Sequence, residues 1–463
     1  MADVSKKEIE ELKINNLALL YDLLSERKNG IQKRVLSNLG RLPNSFDGNR
    51  LVQLLDTDDE SLRLLVIHNI AKLCDDTYLD IMAETIKKES NSRIRREVAS
   101  AIGRMRSEKA IPVLFEILDD KDPKVTLQAV RALLVFKDNT LVNGELGKLR
   151  NHSNEMVRYV IERELKTTKE TKEAKSQHTE SPDYLKNVIV RGDVLETLEY
   201  VPDKSFHLTF TSPPYYNARD YSTYQSYDEY LDFLAKVFKE VHRTTKEGRF
   251  FLLNTSPILV PRFSRQYSSK RYPIPYDIHP YIVKMGWEFI DDIVWVKPEA
   301  SAKNRNAGFL QHRKPLGYKP NAVTECVMVY RKKSDKLIDW SMKQYDQDTI
   351  NKSKVVGEYE TSNAWKIDPT FNKQHSAVFP IELCNRVISL YSYVGDLVFD
   401  PFAGSGTLGK AAINLSRYFF LTEIEAAYIE NMKRELVDKA VLVEPKPRII
   451  SSEELRRTVE EAQ

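Results

Sequence analysis

The chain has 463 residues, a formal net charge of +3 and three cysteines. That length admits two or three domains, and no apolar run approaches the roughly 18 residues of a membrane span. Met1-Ala2-Asp3-Val4-Ser5-Lys6-Lys7 lacks the apolar core of a secretion signal, so a cytoplasmic protein with no membrane partner is expected. Cys74, Cys326 and Cys384 stand far apart, and eight histidines show no metal-ligand spacing, so neither a disulfide framework nor a metal site is expected.

The first third, 1–166, reads as a helical repeat. Ile31, Leu62, Ile94, Val125 and Val157 recur every 31 or 32 residues, and the last four open apolar runs at helical spacing. Polar clusters at Asp56-Thr57-Asp58, Asn91-Ser92, Asp119 to Pro123 and Asn154 precede those runs and supply N-cap oxygens. Paired helices at this period resemble HEAT repeats, stacked as a solenoid. Arg63, Arg95 and Arg158 share one repeat position. They form either a solvated face or a basic ladder that tracks phosphates.

Residues 167–182 are polar and charged and read as a linker. A second domain is expected over 183–445, with 446–463 as a C-terminal tail. Asn187-Val188-Ile189-Val190 reads as a strand, followed by Gly192-Asp193 and a short helix. Phe206-His207-Leu208-Thr209-Phe210 reads as a second, buried strand, ended by Thr211-Ser212-Pro213-Pro214-Tyr215. The prolines have no N–H for a ladder, so they stop the strand and stiffen the loop after it. Between Arg262 and Lys333 stand 14 Lys/Arg against 6 Asp/Glu. Residues 298–365 lack a regular pattern and mix Arg305, Arg313, Lys314 and Lys319 with Phe309, Tyr318 and Trp365. Such residues suit phosphate contact and base-edge reading, or else a packed insert.

Near the C-terminus a strand, Asp396-Leu397-Val398-Phe399, runs into Asp400-Pro401-Phe402-Ala403-Gly404-Ser405-Gly406-Thr407 and a helix from Leu408. Gly404 and Gly406 allow a tight turn and close backbone approach, and the helix N-terminus favours an anion. The next strand, Tyr418 to Leu421, ends at Thr422-Glu423, 23 residues after Asp400, where an acidic side chain can accept ribose hydroxyls. Both stretches place polar groups at the carboxyl ends of strands in an expected α/β Rossmann-like fold.

Together, the S-P-P-Y and D-P-F-A-G-S-G-T stretches resemble the amino-methyltransferases of DNA, which use S-adenosylmethionine. Their order, S-P-P-Y first, resembles the circularly permuted beta class, over roughly residues 185–440. The resemblance implies Ser212, Pro213, Pro214 and Tyr215 as catalytic. It implies a cofactor site at Asp193, Thr211, Phe379, Pro380, Asp400, Phe402, Gly404, Gly406, Thr407 and Glu423, with 375–380 resembling the family's H-x-A-x-F-P stretch. It also implies a target-recognition region in 298–365, with Arg305, Arg313, Lys314 and Lys319 on DNA. Serine at the first motif position resembles the cytosine N4 enzymes rather than the adenine N6 ones. Thr324-Glu325 departs from the His-Glu pair often seen in the family.

The expected activity is site-specific methylation of duplex DNA, in a restriction-modification setting with a cognate endonuclease as a candidate partner. Alternatives are an adenine N6 enzyme, a DNA- or protein-binding module with an inactive methyltransferase domain, and methylation of RNA or a glutamine amide.

Overall fold

The computed structural model describes residues 4–462 apart from 27–28, 44, 167–178, 217–223, 261–265, 267–269, 300–314, 317–321, 358, 373–374 and 441. The helical periodicity of the first third and the apolar strand runs of the remainder build two units, Met1–Glu173 and Ala174–Gln463. Among the described residues no helix is long and apolar enough to cross a membrane.

The first unit contains α1 (Lys6–Asn15), α2 (Leu17–Ser25), α3 (Asn29–Asn38), α4 (Asn49–Val52), α5 (Glu60–Leu73), α6 (Leu79–Lys88), α7 (Ser92–Arg104), α8 (Ile111–Ile117), α9 (Pro123–Leu133), α10 (Thr140–Lys148) and α11 (Glu155–Lys166). Helices α3, α5, α7, α9 and α11 pack in succession. Leu62, Ile94, Val125 and Val157, one per repeat, are buried, each contributing roughly 1.5–3 kcal/mol by leaving water. Asp59, Asn91 and Asp122 cap α5, α7 and α9, the first lying one residue beyond the cluster expected from sequence.

The repeat arginines are not a phosphate ladder. Arg95 grips Asp120 with Nε and Nη2 at 2.7 and 2.9 Å and donates Nη1 to the Ser90 carbonyl. Arg63 pairs with the buried Glu89 at 3.0 Å and donates to the Thr57 carbonyl. Arg158 donates to the carbonyls of His152 and Ser153. Each side chain folds back on the loop before its own helix and satisfies carbonyls that the turn leaves unpaired. The period is real, but it reports loop closure.

The second unit is a nine-stranded sheet with helices on both faces. Its strands are β1 (Val188–Arg191), β2 (Phe206–Thr211), β3 (Thr245–Thr255), β6 (Trp287–Val296), β7 (Thr324–Lys332), β8 (Ala364–Lys366), β11 (Leu397–Asp400), β12 (Tyr418–Glu423) and β13 (Arg448–Ser451). The short pairs β4 (Ile258–Val260) with β5 (Lys270–Tyr272), and β9 (Thr370–Asn372) with β10 (His375–Val378), lie outside it. The order is β13-β1-β12-β11-β2-β3-β7-β6-β8, and only β7 runs against the rest. One face buries Val188, Phe206, Phe251 and Phe399 under α12 (Val194–Glu199), α13 (Tyr227–Thr244) and α14 (Ile274–Lys284). The other buries Ile189, Leu208, Val398 and Phe419 with residues of α17 (Ile381–Tyr391), α18 (Thr407–Asn414) and α19 (Ala426–Met432).

Two expectations need correction. Residues 446–463 are not a tail: β13 pairs with the otherwise bare edge of β1, and Leu455 and Val459 of α20 (Ser452–Ala462) enter the core. The described part of 298–365 is also more regular than its composition suggests. Trp365 is buried in β8, and on the neighbouring β6 the Trp295 indole N–H donates to the Ile367 carbonyl, so Trp365 packs in the core. Tyr345, between α15 (Ile338–Met342) and α16 (Gln347–Ser353), donates to the buried Asp396 at 2.6 Å and binds Arg249. Part of the local basic excess is likewise structural, since Arg331 and Lys332 donate to the carbonyls of Gly248 and Thr245.

Candidate active site

Strands β11 and β2 are parallel neighbours, but the chain leaves them in opposite directions: β11 leads to β12 on one side, β2 to β3 on the other. A crevice opens at the carboxyl ends of two such strands. The two motifs of the sequence lie there and are joined. The Thr211 hydroxyl, at the end of β2, donates to Asp400 Oδ1, at the end of β11, at 2.6 Å. The same carboxylate oxygen accepts from the Phe402 N–H at 3.0 Å and so shapes the start of the glycine loop.

A cavity of about 280 Å³ lies above this junction. It is lined by Asp193, Ser212, Pro213, Pro214, Tyr215, Phe402, Gly404 and Glu423 among the residues expected from sequence. Ser405 of the glycine loop lines it as well, as do Phe233 and Tyr428, which no sequence motif singled out. Thr211, Phe379, Pro380, Asp400, Gly406 and Thr407 do not line it. Thr211 and Asp400 are buried beside Ser212 and Pro401, which do line it. Phe379 turns onto the sheet and stacks on Phe210 at 4.6 Å, and Pro380 starts α17. Gly406 has φ +77, and a Cβ there would lie 2.6 Å from Met432 Cγ, so only glycine fits under α19. The Thr407 hydroxyl faces that of Ser405 at 3.1 Å. Arg305, Arg313, Lys314 and Lys319 lie outside the described residues.

Acidic groups dominate the rim. Asp193 caps α12 through Oδ1, which accepts from Leu195 and Glu196, and it also borders the cavity, so the cap and the site are one residue. Glu423 Oε2 accepts from the Gly404 N–H at 2.7 Å, and Oε1 from Ile424 and Glu425. Three backbone donors leave part of its acceptor capacity open. Burial raises its pKa, opposed by those N–H groups.

Burial also pushes the Asp400 carboxyl up to about 7, against the hydrogen bonds from Thr211 and Phe402. A carboxyl whose folded pKa lies above its ordinary 3.8 holds its proton more tightly when folded. Its stabilising contribution is therefore complete below about pH 4 and lost as the pH rises through about 7. That interval, at about 1.4 kcal/mol per pH unit, is worth roughly 4 kcal/mol. Asp400→Asn is expected to keep the acceptor for Thr211 and to flatten this dependence. Urea unfolding of both chains at pH 5 and pH 8 checks it: equal slopes with pH would show that Asp400 titrates normally.

Beneath the S-P-P-Y motif lies a polar network that the sequence did not announce. Glu325, near the start of β7, accepts from Tyr215 Oη at 3.0 Å, from Asn254 Nδ2 at 2.6 Å and from Lys297 Nζ at 2.7 Å. Asn254 Nδ2 also approaches Ser212 Oγ at 3.4 Å. Burial and the Glu325 charge raise the Tyr215 pKa well above the ordinary phenol value, so the hydroxyl stays a donor. The only sequence signal was Thr324-Glu325 itself, where the expected His-Glu pair is absent.

A strand-tip cavity with a glycine loop, an acidic ribose-type position and a rigid S-P-P-Y wall defines an α/β protein of the nucleotide-cofactor class. Comparison with known proteins narrows this. Residues 206–434 match the model of a DNA methylase family, and residues 48–134 match HEAT repeats. The Type II methyltransferase M.ScaI of Streptomyces caespitosus is 30% identical over 253 residues, covering 52% of this chain and 79% of that protein. The Type II beta methyltransferase M.BslI of Bacillus sp. (strain NEB-606) is 29% identical over 261 residues, 52% of this chain. The chain spans only about a quarter of M.BslI, 26% of its length. The solved PvuII DNA methyltransferase (cytosine-N4-specific) is 20% identical, with a TM-score of 0.41 over 61% of this chain and 95% of that one. The chain belongs to the N6/N4 DNA methylase family.

Proposed function

We propose that the chain is a DNA methyltransferase that modifies the exocyclic N4 amine of cytosine, flipped from a duplex, at a specific site. The observation that carries this reading is the Thr211–Asp400 hydrogen bond. It locks the catalytic motif to the glycine loop across neighbouring strands, so that both face one cavity.

Asp193, Gly404 and Glu423 would hold S-adenosylmethionine. The acidic rim suits a ligand that carries a sulfonium and an ammonium group, and Gly404 presents backbone free of a side chain. When bound, the cofactor supplies an electrophilic methyl group. The chain's own task is to prepare the amine, whose lone pair is shared with the ring. Ser212 Oγ and the Pro213 carbonyl offer two acceptors for its N–H groups, which localise that pair on nitrogen. Pro213 and Pro214 fix the backbone, so the acceptors need no reorganisation during reaction. Tyr215, anchored at its hydroxyl by Glu325, offers its ring to the base face. Flipping costs roughly a few kcal/mol of unstacking.

Serine as first acceptor favours cytosine, because it is short and can also donate. The relatives named as Type II methyltransferases favour a restriction-modification setting, with a cognate endonuclease as partner. Transfer from labelled S-adenosylmethionine to unmethylated DNA, followed by nucleoside mass spectrometry, tests this. N4-methylcytosine is expected. N6-methyladenine alone would overturn the choice of base, and no labelled nucleoside would overturn the substrate.

A further inference from the structure

Arg63, Arg95 and Arg158 are consumed by their own loops, but the helices of this unit hold a second set of cations that is not. On α7, Arg93, Arg96 and Arg104 are exposed and stand at i, i+3 and i+11, which is one helix face. That face lies opposite the buried Ile94, Val98 and Ile102. Arg131 occupies the corresponding exposed side of α9, opposite the buried Ala129. Lys72 of α5 and Arg104 hold the same repeat position and are close enough for the arginine to lower the lysine pKa, after the larger effect of burial. The helices pack tightly: a Cβ on Gly103 of α7 would lie 2.5 Å from Ala132 Cβ of α9.

Elsewhere on this unit Lys88 is matched with Glu84, Lys87 with Glu116, Lys109 with Asp76 and Lys148 of α10 with Glu145. On the α5–α7–α9 face, Glu97 is engaged by His68 at 3.0 Å. Among the described residues Arg93, Arg96, Arg104 and Arg131 form no ion pair with an acidic side chain. Unmatched like charges on adjacent packed helices repel one another, a cost that a polyanionic partner relieves.

We propose that this stripe binds the phosphate backbone of duplex DNA, independently of base sequence, and so holds the substrate of the enzyme by its HEAT unit. Guanidinium groups suit this role because they present paired N–H donors to phosphate oxygens. The inference rests on the reading of the chain as a DNA methyltransferase.

The test uses the full chain and a random-sequence duplex, with affinity followed by fluorescence anisotropy across a KCl series and no cofactor present. Each phosphate contact adds about −0.9 to the slope of log K against log salt. Arg93→Ala/Arg96→Ala/Arg104→Ala/Arg131→Ala is expected to make the slope shallower by about 2–4 and to weaken low-salt affinity at least about ten-fold. The charge-matched chain Lys87→Ala/Lys88→Ala/Lys109→Ala/Lys148→Ala is expected to keep the wild-type slope. A folded stripe variant with an unchanged slope overturns the proposal, as does an equal change in both quadruple variants. Should the stripe variant unfold, Arg96→Ala/Arg131→Ala serves in its place, with about half the change in slope. Ser212→Ala separates the two readings. If it still methylates at the wild-type rate, the active-site reading falls and the stripe stands; if the stripe variant binds as wild type, the reverse holds.

Discussion

Ser212→Ala is expected to lower kcat by about 10²–10³-fold while leaving the KM for S-adenosylmethionine within about two-fold, the scale set by removing one preorganised polar group that acts on the reacting centre. Ser212 lines the cavity and is not part of the glycine loop, so its loss spares the cofactor side. Asn254 Nδ2 approaches it at only 3.4 Å, and Asn254 keeps its shorter bond to Glu325, so the fold is hardly affected. Single-turnover methyl transfer measures the effect directly. A variant within about ten-fold of wild type would mean that the Pro213 carbonyl alone localises the lone pair.

The second large effect is expected at Glu325. In Glu325→Ala, Tyr215 Oη, Asn254 Nδ2 and Lys297 Nζ all lose one acceptor group. Lys297 and Glu325 are only 20% and 14% exposed at their side chains, so the abandoned ammonium is poorly solvated. The loss in stability should be about 2–4 kcal/mol, toward the lower part of the range for breaking a buried pair. The catalytic cost is separate. Without Glu325 the Tyr215 hydroxyl loses its carboxylate acceptor and is left to Ser212 and Ser256, and the Asn254 amide is free to turn away from Ser212, so kcat should fall by roughly 10- to 100-fold, the penalty of slight misplacement. Glu325→Gln keeps an acceptor oxygen but loses the charge, and should recover most of kcat and little of the stability. Thermal unfolding and kcat measured on both variants separate the two roles. If Ala and Gln behave alike in kcat, the carboxylate does not position the motif.

Both residues belong to the same design. The β2 strand delivers the acceptors, while β3 and β7, antiparallel to each other, bring Asn254 and Glu325 under them. On the other side of the switch point, β11 and β12 deliver the glycine loop and Glu423. The proposed acid–base behaviour of Asp400 is a by-product of this arrangement. A fully buried carboxyl that ties two strand ends together is poorly hydrated, which raises the cost of its charge.

Local signals announced a good deal of this. A 31- to 32-residue period of apolar positions defines stacked helices, because each repeat can bury its face only against the next. Two prolines after a buried strand, and two glycines before a helix, mark strand ends by backbone chemistry alone, and chain order marks the permutation. That Ser212, Pro213, Pro214, Tyr215, Phe402 and Gly404 line the cavity was legible because each sits within such a motif, and Asp193 and Glu423 because each stands just at the end of a strand.

Tertiary structure decided the remainder. Whether an arginine meets phosphate or a neighbouring carbonyl depends on how a loop closes; Arg63 and Arg95 turn inward, while Arg96, next to Arg95 in sequence, turns out. The C-terminal strand could not be distinguished from a tail, because its partner edge on β1 lies about 260 residues earlier and local sequence carries no record of a bare edge. Glu325, Asn254 and Lys297 come together from distant parts of the chain that no spacing rule relates. Sequence determined the pieces whose geometry is local; the meeting of distant strand ends, and with it the polar network beneath the S-P-P-Y motif, was set only by sheet order and register.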